Sequence, residues 1–421
     1  MLRLLYTLAL YLAAPVALAF TALRGLKNPA YRDRLGERLG FTRARFGSPP
    51  IWVHAVSVGE VQAAAALVRE LFKRYPQHPL LVTTATPTGA QRIAALFGKA
   101  VTHAYLPYDT PGAVRRFLGR TRPRVAIVME REIWPNLFSA CARRDIPLVL
   151  ASARISAASA QRHRRLAGLF GPALASNVTI AAQTEADAER YRSIGADAAA
   201  THVTGNIKFD LDVPDDVRRQ GEALRKMLSQ RPVWTAGSTH EGEEALVLDA
   251  HQHVCAVHGD ALLILVPRHP NRFASVAAWL KSRDVRFVAR SSNERMTAAT
   301  SVLLADTLGE LLMLYAAADI AFVGGSLVPI GGHNLLEPAA LSRPIVVGPH
   351  NFNAQEIAQM FLESGAAIEV KSAAQLAQAL LELFANEARR GEIGARGRAL
   401  LESNRGALER VMRLIESLGR L

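Results

Sequence analysis

The sequence predicts an α/β chain made of two doubly wound parallel-sheet domains with a central cleft, preceded by an N-terminal membrane anchor helix. Three observations carry this. The 421 residues are half hydrophobic and 21% charged, which suits a folded chain too long for one ordinary core. Short apolar runs alternate with helical patterns, stop near residue 210, and then start again. The stretch from Leu4 to Leu23 carries no charge at all and is long enough to cross a bilayer.

That first stretch is followed by Arg24, Lys27, Arg32, Arg34, Arg38, Arg43 and Arg45 against only Asp33 and Glu37. The bias places the bulk of the chain on the cytoplasmic side. A cleavable leader fits less well, because Arg3 is the only charge ahead of the apolar run. Pro15 leaves two forms of attachment open, a spanning helix and one lying in the interface. The expected divisions are an anchor over 1–24, a first domain over 25–209, a second over 210–395 and a terminal helix over 396–421.

Within the first domain, 51–56 (IWVHAV), 80–84 (LLVTT), 125–129 (VAIVM), 147–151 (PLVLA) and 178–182 read as buried strands. Residues 60–74 read as an amphipathic helix, and another helix begins at Ala90. A polar, Pro-containing stretch at 209–216 reads as a linker. Beyond it, 232–236 (PVWTA), 261–266 (ALLILV), 285–289, 302–305, 320–323 and 344–347 continue as strands. Residues 389–421 read as one continuous basic helix.

The net charge of +13 implies an acidic partner. With aromatics at 6% and no basic-aromatic interleaving, nucleic acid is not the expected one. The two cysteines, Cys141 and Cys255, stand far apart, which excludes a disulfide framework or a zinc ribbon. No GxGxxG follows a strand and no P-loop motif is present, so a dinucleotide enzyme and a P-loop NTPase are disfavoured. Asp210-Leu211-Asp212 has the form of a metal-binding Asp-x-Asp but lies in the linker, so it reads as solvated. Neither a catalytic metal nor a cofactor is expected.

Ligands of such sheets bind at the carboxyl ends of the strands, so the residues that follow each strand are the candidates. Glu60, in Ser57-Val58-Gly59-Glu60, follows the first strand at a helix start. It suits a general base, although a first-turn carboxylate also serves simply as a dipole partner. Glu130 and Glu132, in MEREIWPN, follow the VAIVM strand. Lys208, in Gly205-Asn206-Ile207-Lys208-Phe209, falls at the domain junction and could stabilise developing negative charge. In the second half, Ser238 and Thr239 precede a helix start that offers N–H groups to an anion. Arg268 and His269 place a guanidinium and an imidazole after the ALLILV strand. Gly324-Gly325 and Gly331-Gly332 flank an apolar segment and lead into His333-Asn334-Leu335-Leu336-Glu337. The second glycine pair would let backbone approach a phosphate. His333 and Glu337, four apart, would share a face, with the carboxylate where ribose hydroxyls would lie.

Taken together, SVGE, MEREIWPN, GNIKFD, GSTHEGEE, PRHPNRF and GGSLVPIGGHNLLEP, in this order along the whole chain, resemble the Kdo (3-deoxy-D-manno-octulosonic acid) transferases of lipopolysaccharide assembly. The resemblance implies a GT-B glycosyltransferase fold with a lipid acceptor held by the N-terminal domain and CMP-Kdo by the C-terminal one. It implies Glu60 as general base, Glu130 and Lys208 as transition-state stabilisers, and CMP contacts from Arg268, His269, Gly309, Glu310, Leu311 and Asn334, Leu335, Leu336 and Glu337. Ser238, Thr239, Gly332 and His333 complete the expected substrate-binding set. Arg131 and Ser152 depart from the family pattern, outside the proposed catalytic set.

The implied reaction is a single-displacement, inverting, metal-independent transfer of Kdo onto a lipid A precursor (lipid IVA). The implied setting is the cytoplasmic side of the bacterial inner membrane, whose lipids are further partners. The nearest alternatives are another membrane-associated GT-B transferase using a UDP-sugar and a lipid acceptor, a nucleotide-sugar epimerase, and a non-catalytic lipid A-binding scaffold.

Overall fold

A computed structural model describes residues 1–27, 29–292 and 294–421. The chain folds as two compact units, Met1–Asp210 with Asn404–Leu421, and Leu211–Ser403.

The first unit contains β1 (Ile51–His54), β2 (Leu80–Thr84), β3 (Thr102–Tyr105), β4 (Val125–Met129), β5 (Leu148–Ala153), β6 (Val178–Ala182) and β7 (Thr201–Val203). They form one parallel sheet in the order β3-β2-β1-β4-β5-β6-β7. Side chains alternate across it. Trp52, Leu81 and Val128 enter a core on one face, while Ile51, Val53 and Ile127 enter a second core on the other. The strand order reverses between β1 and β4, where His54 pairs with Val128.

The second unit repeats the plan with β8 (Val233–Thr239), β9 (Leu262–Pro267), β10 (Phe287–Ala289), β11 (Val302–Leu304), β12 (Ile320–Val323), β13 (Ile345–Val347) and β14 (Ala367–Glu369). All are parallel, in the order β10-β11-β9-β8-β12-β13-β14. Here the reversal falls between β8 and β12. The buried strands chosen from the sequence are present in both units. The strands that were not anticipated, β3, β7 and β14, are all edge strands, short and partly exposed, and so carry a weak apolar signal.

Three expectations need correction. The PVWTA strand does not stop at Ala236 but runs to Thr239, with a register shift against β9 between Gly237 and Thr239, where Ser238 takes φ 61. The continuous helix expected over 389–421 is two helices, Glu387–Ser403 and Ala407–Ser417, separated at Gly406 with φ 87. Residue 396 lies inside the first of them. The second belongs to the first unit, where Ala407, Val411, Met412 and Ile415 pack into the core beside Val53 and Val61. Finally, Asp210 is not a freely solvated linker residue. Its carboxylate accepts from the Gly406 and Leu408 N–H groups, both at 2.6 Å, and so caps that helix.

At the N-terminus the helix Leu2–Lys27 is the one described helix long and apolar enough to cross a membrane. Its polar side chains nevertheless bind the first unit. Arg3 Nε donates to Asn136 Oδ1 at 3.0 Å, Tyr6 donates to Asp109 Oδ2 at 3.0 Å, and the Gly112 N–H donates to the Tyr11 hydroxyl at 3.2 Å. Leu4, Leu8, Leu12, Val16, Phe20 and Leu23 are exposed.

Asp210→Ala should leave two helix-terminal N–H groups without their acceptor. The expected cost is about 1–2 kcal/mol, seen as an earlier first transition in urea and faster amide exchange over residues 407–417.

Candidate functional site

In the first unit Glu60 and Glu130 follow the two strands between which the order reverses, where open α/β sheets bind ligands. In the second unit the singled-out residues follow β8, β9, β11 and β12, spread to both sides of the reversal. In the first unit, β1 runs through Ala55-Val56-Ser57 into the helix Val58–Arg74, which places Glu60 in the first turn. Its Oε2 accepts from the Val56 N–H at 2.8 Å. Burial pushes this half-buried carboxyl up to about 7. The Val56 hydrogen bond opposes the rise, and the neighbouring Glu130 and Glu132 carboxylates reinforce it. A carboxyl tuned to that range is matched to proton abstraction near neutrality.

Glu130 follows β4, the neighbour of β1. Its backbone is left-handed at φ 55, and the residue is only 3% exposed. Oε1 receives the Lys208 ammonium at 2.7 Å and Oε2 the Arg154 guanidinium at 2.9 Å. Burial alone would raise its pKa, but the two cations outweigh it and hold the carboxylate below its ordinary range. The Tyr191 hydroxyl, lying between the carbonyl oxygens of Glu130 at 3.3 Å and Arg154 at 3.2 Å, braces this turn. Lys208 sits on the 3-10 turn Ile207–Phe209 and keeps 31% of its side chain exposed, so its charge is only partly consumed by Glu130.

In the second unit, Arg268 and His269 follow β9 and are exposed. His240, just beyond Thr239 of β8, lies with Nε2 2.8 Å from His333 Nε2, the two rings being nearly parallel. The His269 ring stands edge-on to His240 at 5.3 Å. Gly309-Glu310-Leu311 follows β11. There Glu310 pairs with Arg290 at 3.0 Å, and Leu311 opens the helix Leu311–Ala317. Leu335 and Leu336 are buried, while Asn334 is exposed and donates to Glu337 Oε1 at 3.2 Å.

The phosphate-cradle expectation meets loops that are already closed on themselves. The Gly331 and Gly332 N–H groups both donate to the Gly325 carbonyl, at 3.0 and 2.8 Å, and the helix beyond them is only Leu336–Ala339. At the start of the helix Glu243–Val257, the chain supplies its own anion. The buried Glu243 carboxylate accepts from the N–H groups of Gly325 at 2.7 Å, Leu327 at 3.0 Å, Ser326 at 3.1 Å and His240 at 3.2 Å. Gly324 is needed for this packing, because a Cβ there would lie 2.8 Å from the Ser238 carbonyl oxygen. Ser238 is buried at its bulge, and Thr239 Oγ1 donates to Glu244 Oε1 at 3.0 Å, a carboxylate also held by Arg272. The accessible polar groups at this end of the sheet are therefore side chains, those of Arg268 and the histidines.

Two residues not singled out from the sequence join these clusters. Arg154 follows β5 as Glu130 follows β4, and His240 follows β8. The signal for both was their place just past a buried strand. Among the described residues, no group of three or more His, Cys, Asp or Glu is arranged to hold a metal ion.

Glu130→Ala should strand the Lys208 and Arg154 charges at a buried turn. We expect a loss of about 2–3 kcal/mol of stability, read from chemical denaturation, with Glu130→Gln losing less.

Residues 33–211 match the family model described as 3-deoxy-D-manno-octulosonic-acid transferase (kdotransferase). The chain is 43% identical over 418 residues to the 3-deoxy-D-manno-octulosonic acid transferase of Haemophilus influenzae, covering 98% of both chains. It is 39% identical over 424 residues to that of Bordetella pertussis, again covering 98% of each. Among solved structures, a glycosyltransferase from Rickettsia africae superimposes with a TM-score of 0.55 at 13% identity, covering 89% of this chain and 99% of that one. That likeness concerns the fold alone, the two-sheet GT-B architecture.

Proposed function

The chain belongs to the 3-deoxy-D-manno-octulosonic-acid (Kdo) transferase family, and from that premise we propose how it moves Kdo from CMP-Kdo to a lipid A precursor. It is a glycosyltransferase of lipopolysaccharide synthesis. The observation that carries the mechanism is the placing of Glu60 in the first helical turn after β1, where its carboxyl accepts from the Val56 N–H and burial pushes its pKa up to about 7. In our reading Glu60 takes the proton from the acceptor hydroxyl as its oxygen bonds to the anomeric carbon of Kdo. The bond from that carbon to the phosphate oxygen breaks, and CMP departs with the electron pair. One displacement inverts the anomeric centre. The leaving group is already a nucleoside monophosphate, so it needs positive charge rather than a proton.

Lys208 is a cation of the first unit suited to stabilising negative charge that develops in the transition state, and its ion pair with Glu130 holds it in place. In the second unit Arg268 and His269 offer donors to the CMP phosphate, and Glu337 is the carboxylate placed to meet ribose hydroxyls. Gly309, Glu310 and Leu311, together with Asn334 to Leu336, shape the remainder of the nucleotide site. No step is assigned to a metal.

We place the enzyme at the cytoplasmic face of the bacterial inner membrane, with its N-terminal helix lying in the interface. The polar contacts of Arg3, Tyr6 and Tyr11 with the first unit support that orientation, and the apolar stripe from Leu4 to Leu23 suits the acyl boundary. The basic residues that follow suit anionic headgroups.

Transfer from CMP-Kdo to tetra-acylated lipid A precursor, followed by mass spectrometry with EDTA present, should yield Kdo-bearing lipid. The rate should fall about tenfold per pH unit below about 7, as Glu60 becomes protonated and ceases to act as a base. Glu60→Gln should lose at least about a thousandfold in kcat and still bind CMP, whereas a scaffold would keep its lipid association and show no turnover to lose. A UDP-sugar serving in place of CMP-Kdo would overturn the donor assignment.

The double substitution Leu8→Asp, Leu12→Asp should weaken binding to anionic lipid vesicles at least about tenfold in a flotation assay, with the soluble fold intact by circular dichroism.

A further inference from the structure

His240, His269 and His333 come from the ends of β8, β9 and the loop after β12. These are three neighbouring strands in the sheet order, and the reversal point lies among them. The Nε2 atoms of His240 and His333 face each other at 2.8 Å, and the rings lie 7° from parallel. A contact between two ring nitrogens at that distance holds one proton, donated by one ring and accepted by the other. In the neutral pair, then, one Nδ1 carries a hydrogen and the other is bare. One added proton gives both rings an Nδ1–H and leaves the Nε2–H···Nε2 bond intact. A second would break it. The pair is thus a receptor for a single proton.

The charges around the pair favour an anion. Arg268, Arg272 and His269 face His240, with Glu244 opposing them, and Arg268 and His269 face His333. Of the nearby carboxylates, Glu243 is engaged by four backbone N–H groups and Glu244 by Arg272 at 2.6 and 3.0 Å, while Glu241, next to His240 in the chain, is exposed to solvent.

We propose that His240, His269 and His333 form a proton-coupled anion pocket, in which the phosphate of the bound nucleotide draws one proton onto the His240–His333 pair. This rests on the donor reading given above and adds His240 to it as a binding residue. In the free protein, burial first and then Arg268 and the other histidines hold His333 down to about 3, and burial also lowers His240. The pair is therefore neutral at physiological pH until an anion supplies the counter-charge. The sign follows from linkage. The bound form has the higher pKa, so binding tightens as pH falls through that value and proton uptake vanishes well above it.

The test is isothermal titration of CMP into the full-length wild-type protein between pH 7.0 and 8.5, a window in which the CMP phosphate is mostly a dianion. Each pH is repeated in two buffers of different ionisation enthalpy. The inference expects uptake of up to one proton per CMP and binding about fivefold tighter at pH 7.0 than at 8.5. Cytidine, which lacks the phosphate, should show no uptake. His240→Gln and His333→Gln should each abolish the buffer dependence. CMP binding with equal enthalpies in both buffers, or with uptake undiminished in both variants, overturns the proton coupling and leaves the donor reading standing. No CMP binding at any pH overturns both.

Discussion

A carboxylate buried as deeply as that of Glu130 survives only with cations against both of its oxygens, and Lys208 and Arg154 provide them. Much of the first unit's site follows from this one arrangement. The bracing by Tyr191 and the left-handed backbone at Glu130 fix the turn that aims the carboxylate. With Glu130 held ionised, its charge adds to the burial that lifts Glu60 toward neutrality. Two carboxyls at neighbouring strand ends thus acquire opposite characters, one locked as an anion and one able to exchange a proton. The difference lies in whether a cation reaches the oxygen. Among the described residues, Glu60 accepts from the Val56 N–H and makes no ion pair, with Arg131 lowering its pKa only weakly against burial.

The second unit solves a related problem by another route. Its glycine-rich loop has the N–H groups to receive a phosphate, but the chain fills them with Glu243. An internal anion fixes the loop rigidly without waiting for ligand, which preorganises the side chains that remain outward. Arg268 and His269 remain exposed at this end of the sheet, where the proposed recognition would use them. The four glycines also serve close packing, Gly324 against the Ser238 carbonyl, Gly325 against the His333 ring, Gly331 against Asn353 and Gly332 against Asn351.

The layers and the central strands were legible because fully buried parallel strands are continuous apolar runs. The edge strands were not, since Thr102–Tyr105 and Thr201–Val203 carry polar residues on exposed faces. At the proposed site, Glu60 and Glu130 were singled out from residue type and position after a strand, and Lys208 from its place at the expected domain junction. What no linear pattern could supply was partnership. Arg154 matters because β5 lies beside β4, and His240 because the loop after β12 returns to the end of β8. Such neighbours depend on strand order, which the sequence does not display. The same limit explains Asp210, whose partners at Gly406 and Leu408 lie nearly two hundred residues away.

Hydropathy alone treats the N-terminal helix as a candidate span, but hydrogen bonding separates its two faces. From Arg3 to Tyr11 the helix advances roughly 12 Å. Over that length it makes side-chain contacts with Asn136, Asp109 and the Gly112 backbone. Asp109 is itself buried and accepts from the Asn136 and Leu137 N–H groups, so Tyr6 completes a network already built into the first unit. Withdrawing the helix into a bilayer would carry Arg3 and the Tyr6 hydroxyl into hydrocarbon without these partners, a cost of several kcal/mol for such groups. Laying the exposed leucines against the acyl boundary gains burial and breaks none of the bonds. For the membrane placement proposed above, these bonds favour a helix that tethers the first unit by its side, which keeps the turn of Glu60 with the body of that unit rather than on a flexible stalk.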